Sequence, residues 1–152
     1  MSRIALAVMV VLAAGAARAQ TVKETLEVTR QAIESQRRVL VSGALPLTDP
    51  EGDAFWPLYD AYEKERRPLD EQANKLVADF LAAAATLTDA QARAMIDKAL
   101  KADEGRLRVR REFLERMAKA IPPRKVARFY QIDNKLDAVV RADLAKQIPL
   151  AP

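Results

Sequence analysis

The residues with the clearest chemical character are the basic ones between Arg106 and Arg128. Nine lysines and arginines fall in this interval against two glutamates, which gives a local charge of nine minus two, or +7. Because apolar side chains alternate with these cations, the interval is suited to binding an acidic, partly unfolded chain. The candidate binding residues are Arg106, Leu107, Arg108, Arg110, Arg111, Phe113, Arg116, Met117, Arg124, Lys125 and Arg128.

Other interpretations of the same cations are open. They could form a solvated helix face whose last turn complements the negative end of the helix dipole. Anionic lipid headgroups would be attracted to them as well, although no membrane contact is predicted. Nucleic acid is not expected as a partner, because the chain begins with an export signal that is described below.

The residues that most enzymes use are missing. The chain has no histidine and no cysteine, which excludes a Ser-His-Asp or Cys-His arrangement and the common zinc sites. Its four glycines form no phosphate-binding loop, and its acidic residues form no calcium loop. We therefore expect no enzyme, no cofactor and no metal, although a carboxylate pair supplied by different helices stays open.

The first residues have the pattern of an export signal. Arg3 precedes an uncharged run, and Ala17-Arg18-Ala19 offers the small residues that signal peptidase recognises. The uncharged run is 14 residues long, short of the roughly 20 that a membrane span needs. The sequence therefore predicts a signal peptide over 1–19, cleaved before Gln20, and a single domain over 20–152 that lies outside the cytoplasm.

Apolar periodicity in the rest of the chain predicts four helices and no sheet. The expected ranges are 22–41, 48–84, 88–120 and 123–148. Leu100, Leu107, Leu114 and Ile121 repeat at seven-residue spacing along one face of the third helix. The expected apolar, docking positions are Val22, Leu26, Ile33 and Leu40 in the first helix, and Val126, Phe129, Leu136, Val140 and Leu144 in the fourth.

The second predicted helix contains Pro57 and Pro68. An interior proline costs a helix about 3 kcal/mol, so two short helices joined at a break are one interpretation. At 100° per residue, however, both prolines fall on one side, and a single helix bowed toward its apolar side is the preferred interpretation. The apolar positions opposite the prolines are Phe55, Tyr59, Tyr62, Leu69, Ala73, Leu76 and Phe80.

A short connection, Ala85 to Leu87, predicts an antiparallel hairpin of the second and third helices. Counting outward from Thr86 places Arg66 nearly level with Asp103, where an ion pair would fix the register, unless both side chains reach solvent. The third helix alone would extend about 50 Å, beyond the roughly 36 Å diameter of a compact globule of this size. We therefore expect an all-α, elongated four-helix cradle with faces open to a partner.

Capping boxes open the second and third helices, at Leu47-Thr48-Asp49-Pro50-Glu51 and Leu87-Thr88-Asp89-Ala90-Gln91. The second matches the LTxxQ motif of the Spy/CpxP family of exported proteins, and the first is a copy with Glu in place of Gln. The chain therefore resembles this family. The stretches Phe55-Trp56-Pro57-Leu58-Tyr59 and Ala127-Arg128-Phe129-Tyr130-Gln131 resemble a poorly characterised subgroup of it. The motif positions are Leu47, Thr48, Glu51, Leu87, Thr88 and Gln91.

The resemblance implies an antiparallel, cradle-shaped homodimer that holds unfolded protein clients by charge and apolar contact, without ATP. The implied function is that of a periplasmic holdase-type chaperone in the envelope stress response. The alternative is a regulatory module that docks on the periplasmic domain of an envelope-stress sensor kinase. Because the chain lacks histidine, the metal-sensing roles of related exported proteins are not expected.

Overall fold

The computed structural model describes Val28, Ala32 and residues 35–151. The predicted signal peptide and the predicted apolar positions Val22, Leu26 and Ile33 lie outside the described residues. The described part is all-α and contains no strand, which confirms the predicted class. Its helices are α1 (helical over 35–44), α2 (Asp49–Ala83), α3 (Asp89–Ala120) and α4 (Pro123–Gln147).

Both threonine motifs begin a helix as predicted. Thr88 Oγ1 accepts a hydrogen bond from the Gln91 N–H at 3.3 Å, and Gln91 Oε1 accepts one from the Thr88 N–H at 2.9 Å. At α2, Glu51 Oε2 accepts from the Thr48 N–H at 2.8 Å. These bonds satisfy backbone donors that have no partner within the helix. None of the described helices has the length and apolar character needed to cross a membrane.

Helix α2 runs through both of its prolines without a break. Pro57 and Pro68 are exposed, so water can hydrate the carbonyl groups that each proline leaves without a donor. Phe55 and Tyr62 are buried on the other side. The prediction of one helix is confirmed, and the alternative of two short helices is wrong. At 1.5 Å per residue, the 35 residues of α2 extend about 52 Å.

The core lies at the end of the molecule where all four helices meet. Phe129 of α4 is surrounded by Phe55, Tyr59 and Tyr62 of α2, at ring-centroid distances of 5.3, 6.0 and 6.0 Å. Phe113 of α3 lies 5.7 Å from Tyr62. Aromatic pairs of this kind contribute about 0.5–1.5 kcal/mol each beyond the area that they bury. The four-helix end is therefore held by one continuous aromatic cluster.

The buried face of α1 differs from the predicted one, and α3 does not bury all of its heptad-spaced residues. On α1, Leu40 is exposed, and Val41 is buried instead. On α3, Leu100 and Leu107 are more than half exposed. The residues that α3 buries are Ala102, Val109, Phe113 and Met117. The heptad-spaced residues Leu100 and Leu107 are therefore not on the buried face of α3, because the face that carries Phe113 packs against the aromatic cluster.

Helix α4 folds back along α3 after the elbow at Ile121 and Pro122. Its predicted side is confirmed: Val126 and Phe129 are buried. Farther along, Leu136, Val140 and Leu144 are half-buried. The sequence left open whether α4 folds back or splays away, and the contacts of Phe129 with α2 settle this in favour of folding back.

The α2–α3 hairpin is antiparallel as predicted, but its register is shifted. Leu69 packs against Gly105, where an added Cβ would lie 3.1 Å from Leu69 Cδ2. The residue midway between Leu69 and Gly105 is residue 87, whereas the predicted centre of the hairpin is Thr86. Helical side chains lean toward the N-terminus of their own helix, which displaces contacting pairs of an antiparallel hairpin in this direction. The predicted pair of Arg66 with Asp103 is accordingly not formed.

Candidate functional site

An exposed apolar stripe runs along the outer side of α3. Ile96, Leu100 and Leu107 are 59, 55 and 56% exposed, and Leu114, which is half-buried against the core, continues the line. At 100° per residue, the four side chains fall within a sector of about 40°. From Ile96 to Leu114 the line is about 27 Å long. We call these four residues the outer stripe.

At its C-terminal end, the outer stripe meets a groove between α3 and α4. The groove has a volume of about 360 Å³ and is lined by apolar atoms of Leu107, Leu114 and Ala118 and by the ring of Tyr130. Arg110, Arg111 and Glu115 complete its lining. The arrangement of an apolar floor beside charged groups is typical of a binding site for an amphipathic partner.

Some of the predicted binding residues face solvent near this surface. Leu107, Arg108, Arg111 and Arg124 are exposed. Arg116 is exposed as well, although its guanidinium covers the Phe113 ring at 4.4 Å. Exposed arginines beside an apolar line can attract acidic segments before apolar contact is made.

Other predicted binding residues are engaged inside the protein. Phe113 and Met117 are 1 and 0% exposed, so they belong to the core and cannot contact a partner unless the bundle opens. Lys125 pairs with Glu51 at the start of α2, and Arg128 Nε donates to the Ala44 carbonyl at 2.6 Å. Arg106 and Arg110 also turn inward, where they pair with Asp70 and Asp137 in a charge network between the helices.

A buried network of charges joins all four helices next to the aromatic cluster. At its centre lies Asp133 of α4, which is 1% exposed. Its carboxylate accepts from the Tyr62 hydroxyl at 2.9 Å and pairs with Arg110 at 3.1 Å and with Arg37. The members of the network are Arg37, Tyr62, Glu63, Arg66, Asp70, Asp103, Arg106, Arg110, Asp133 and Asp137.

Asp137 repeats this arrangement one turn farther along α4. Its carboxylate lies 2.9 Å from Arg37 and 3.7 Å from Arg66, and it also pairs with Arg110. Burial alone would raise the pKa of Asp137, but the attraction of these three arginines outweighs burial and holds the pKa below its ordinary value. The carboxylate is therefore ionised at neutral pH and holds α1, α2 and α3 against α4.

Arg66 shows how the predicted ion pair is replaced. Its guanidinium pairs with Glu63 at 3.0 Å and with Asp70 at 2.6 Å, both on its own helix. Asp103, the predicted partner, pairs with Arg106 instead. In a register centred on residue 87, Arg66 is level with Arg108, and Asp103 lies nearer the hairpin tip. Carboxylates of α2 and α4 pair with Arg66 in its place.

Sequence reasoning missed the network, although a signal was present. Asp133 follows Phe129 by four residues and precedes Leu136 by three, so it occupies a position of the buried side of α4. Arg37 stands in the same relation to Ile33 and Leu40, two of the predicted apolar positions of the first helix. A charged residue at such a position on each of two helices indicates a buried ion pair between them. The pairing itself needs the tertiary arrangement.

Comparison of the chain with protein-family models, with curated proteins and with solved structures gives no match. The resemblance to the Spy/CpxP family therefore stays a prediction that rests on the two threonine motifs. Within the described residues, no group of three or more histidine, cysteine, aspartate or glutamate side chains is arranged to hold a metal ion. The function of the protein must therefore be inferred from the surfaces of the chain itself.

Proposed function

We propose that this protein is a periplasmic, ATP-independent holdase-type chaperone whose outer stripe binds segments of unfolded or aggregation-prone proteins. One observation carries the proposal: Ile96, Leu100 and Leu107 stay more than half exposed although α3 buries a separate face. Covering apolar surface contributes about 25 cal/mol per Å². A line of large apolar side chains on a helix is therefore a surface that a partner can stabilise by covering.

The charges beside the outer stripe favour acidic clients. Arg108 and Arg111 are exposed on α3 within one turn of Leu107. Such cations raise the rate of encounter with a negatively charged segment, whereas apolar contact lowers its rate of release. No nucleotide is needed for this cycle, because weak apolar binding is reversible by itself.

The proposal is tested by the aggregation of a chemically denatured client, followed by light scattering without nucleotide. The purified protein should slow aggregation, and the variant Leu100→Ser/Leu107→Ser should lose most of this protection. Circular dichroism should be unchanged in the variant, because neither leucine is buried. The matched control is Val39→Ser/Val139→Ser, which removes two apolar side chains that are 70 and 55% exposed outside the stripe and should protect like the wild type.

Two outcomes would count against the proposal. If aggregation is not slowed even at several-fold molar excess of the protein, the chaperone function is wrong. If Leu100→Ser/Leu107→Ser protects as well as the wild type, the chaperone function survives but the outer stripe is not the client surface. In the second case, the variant Arg111→Glu tests in the same assay whether charge alone accounts for client binding.

A regulatory docking module is the second candidate. The seven-residue spacing of Leu100, Leu107 and Leu114 suits the seam with one partner helix, as docking on the periplasmic domain of a sensor kinase would require. A defined partner binds at fixed stoichiometry and discriminates between sequences, whereas a holdase captures unrelated clients. Protection of two unrelated clients therefore supports the chaperone. The homodimer implied by the resemblance is checked separately, by the mass from light scattering on a sizing column.

A further inference from the structure

The outer stripe repeats at the spacing of a helix rather than at that of an extended chain. Leu100, Leu107 and Leu114 stand seven residues apart on α3, which is about 10.5 Å along the helix axis. In an extended chain, the side chains on one face recur about every 6.8 Å. An extended chain laid along the stripe would therefore place Leu107 midway between two of its own side chains. A partner helix has a seven-residue repeat of the same length as that of α3 and can contact all three leucines.

The positions between the leucines leave this repeat undisturbed. Asp103 and Arg110 stand between the three leucines along α3, and each pairs with a charged residue of the network. Their charges are thus engaged within the protein and are not offered to a partner. From Leu100 onward, a bound chain consequently meets a large apolar side chain at every seventh residue of α3.

A line of charged side chains runs beside the outer stripe, on the flank opposite Arg110. Its six members stand alternately four and three residues apart and are all exposed. At 100° per residue they fall within a sector of about 80° that adjoins the stripe. Within the described residues, none of the six side chains forms an ion pair. We call these residues the charged edge: Asp97, Lys101, Glu104, Arg108, Arg111 and Glu115.

The outer stripe and the charged edge together have the pattern of a coiled-coil seam. In such a seam, apolar residues at seven-residue spacing supply the contact, and flanking charges select the partner. The charged edge holds three cations and three carboxylates, and its only neighbouring residues of like sign are Arg108 and Arg111. The complementary partner is therefore an amphipathic helix whose acidic residues lie opposite these two arginines.

Backbone hydrogen bonding also favours a helical partner. An extended segment covered by α3 on one side would leave N–H and C=O groups there without partners, whereas a helix satisfies its own interior backbone groups. The stripe is about 27 Å long, which matches about 18 residues of helix. At the C-terminal end of the stripe, the groove beside Tyr130 has a volume of about 360 Å³ and can receive a large side chain of the partner.

We propose that the outer stripe binds amphipathic helical segments of its clients, with apolar residues at seven-residue spacing and acidic residues opposite Arg108 and Arg111. The inference rests on the proposed chaperone function and names its substrate class. That class is unfolded segments that become helical when they bind. Segments whose apolar residues alternate with period two, as in strands, lie outside it.

The test compares two peptides of equal composition and about 18 residues, the length that the stripe can hold. In the helix-pattern peptide, leucines recur three and four residues apart among glutamates and glutamines. In the strand-pattern peptide, the same leucines alternate with the polar residues. By fluorescence anisotropy, the helix-pattern peptide should bind at least about tenfold more tightly, which corresponds to about 1.4 kcal/mol. Its binding should increase the helical circular dichroism signal, and a proline at its centre should weaken binding at least about tenfold.

Protein variants locate the bound helix. Leu100→Ser/Leu107→Ser should bind the helix-pattern peptide at least about tenfold more weakly, whereas the valine control of the aggregation assay should bind it like the wild type. Replacing the glutamates of the peptide by lysines should weaken its binding to the wild type. The variant Arg108→Glu/Arg111→Glu should reverse this order and prefer the lysine peptide. Its own circular dichroism should be unchanged, because both arginines are exposed.

The outcomes separate this inference from the chaperone function. Equal binding of the helix-pattern and strand-pattern peptides, or binding without a gain in helical signal, would overturn the inference and leave the chaperone function to the aggregation assay. Binding of neither peptide would overturn the inference as well. If the helix-pattern peptide binds as expected but aggregation of the denatured client is not slowed, the chaperone function is wrong and the selectivity of the stripe for helices stands.

Discussion

The Tyr62 hydroxyl donates a 2.9 Å hydrogen bond to Asp133 across the boundary between the aromatic cluster and the charge network. The Tyr62 ring packs against Phe113 and Phe129, while its oxygen lies among arginines and carboxylates. Burial and the negative charge of Asp133 raise the pKa of Tyr62 well above its ordinary value. Tyr62 is therefore a neutral donor at every physiological pH and couples the apolar packing of α2 to the ion pairs of α4.

Substitutions at this junction should have graded effects on stability. Tyr62→Phe removes one hydrogen bond, but Asp133 keeps its arginine partners, so the free energy of unfolding should fall by about 1 kcal/mol. Asp133→Ala leaves Arg37 and Arg110 with Asp137 as their one remaining shared carboxylate, and the loss should be larger, up to about 3–5 kcal/mol. Urea denaturation measures both. Tyr130→Phe, on an exposed ring, is the control and should change stability by less than about 0.5 kcal/mol. Equal effects of the two network substitutions would contradict the central position of Asp133.

The orientation of α3 can be tested with two of its own residues. Met117 is fully buried and Leu107 is 56% exposed, although Leu107 belongs to the seven-residue repeat of α3. Met117→Ala should therefore cost about 2–5 kcal/mol, whereas Leu107→Ala should change stability by less than about 0.5 kcal/mol. Thermal unfolding of the two variants compares them directly. If Leu107→Ala lowers the free energy of unfolding by more than this, the outer stripe is covered in solution, as in a homodimer.

Two helical glycines should respond differently to alanine. A Cβ at Gly52 would lie 3.6 Å from Trp56, an ordinary contact, so Gly52→Ala should raise stability by about 0.5–1 kcal/mol through lower backbone entropy of the unfolded chain. A Cβ at Gly105 would lie 3.1 Å from Leu69. Leu69 must then shift, and Gly105→Ala should gain less than Gly52→Ala. Urea midpoints give the order, and a greater gain at Gly105 would show that α2 and α3 are farther apart there.

Acid should destabilise the protein through Asp137. The pKa of this carboxylate is lower in the folded protein than its ordinary value, so protons bind more tightly to the unfolded chain. Its stabilising contribution is complete above the unfolded pKa of about 3.9 and is lost as pH falls through the folded pKa. The chain has no histidine, so the urea midpoint should change little between about pH 5.5 and 8. Below about pH 4 it should fall, and Asp137→Asn should lose less on acidification than the wild type.

Local sequence signals were sufficient for much of the fold. The two capping boxes depend on residues three positions apart, so Thr48 and Thr88 identify the starts of α2 and α3 without knowledge of the tertiary structure. The two prolines of α2 are likewise separated by a number of residues that places both on one side. Signals of this kind act within one helix, and they were confirmed.

Contacts between helices were harder to predict. Helix α3 carries two apolar lines about 150° apart, one through Val109 and Phe113 and one through Leu100 and Leu107. Periodicity shows that both exist but not which one meets the aromatic cluster, since that depends on α2 and α4. The network at Asp133 was missed for the same reason, because its arginines come from α1, α2 and α3. The outer stripe is therefore a result of the tertiary arrangement rather than of the heptad pattern.

The placement of the core gives the two ends of the molecule different local stabilities. No residue in the range 67–101 is buried, whereas the aromatic cluster lies wholly at the opposite end. Amide protons near the hairpin tip should thus exchange with solvent through local fraying, and those beside Phe113 and Phe129 only through global unfolding. Ile96 and Leu100 lie on the part that frays. A helical segment that opens locally, next to a core that unfolds only globally, can adapt to bound chains of different shapes while the protein stays folded.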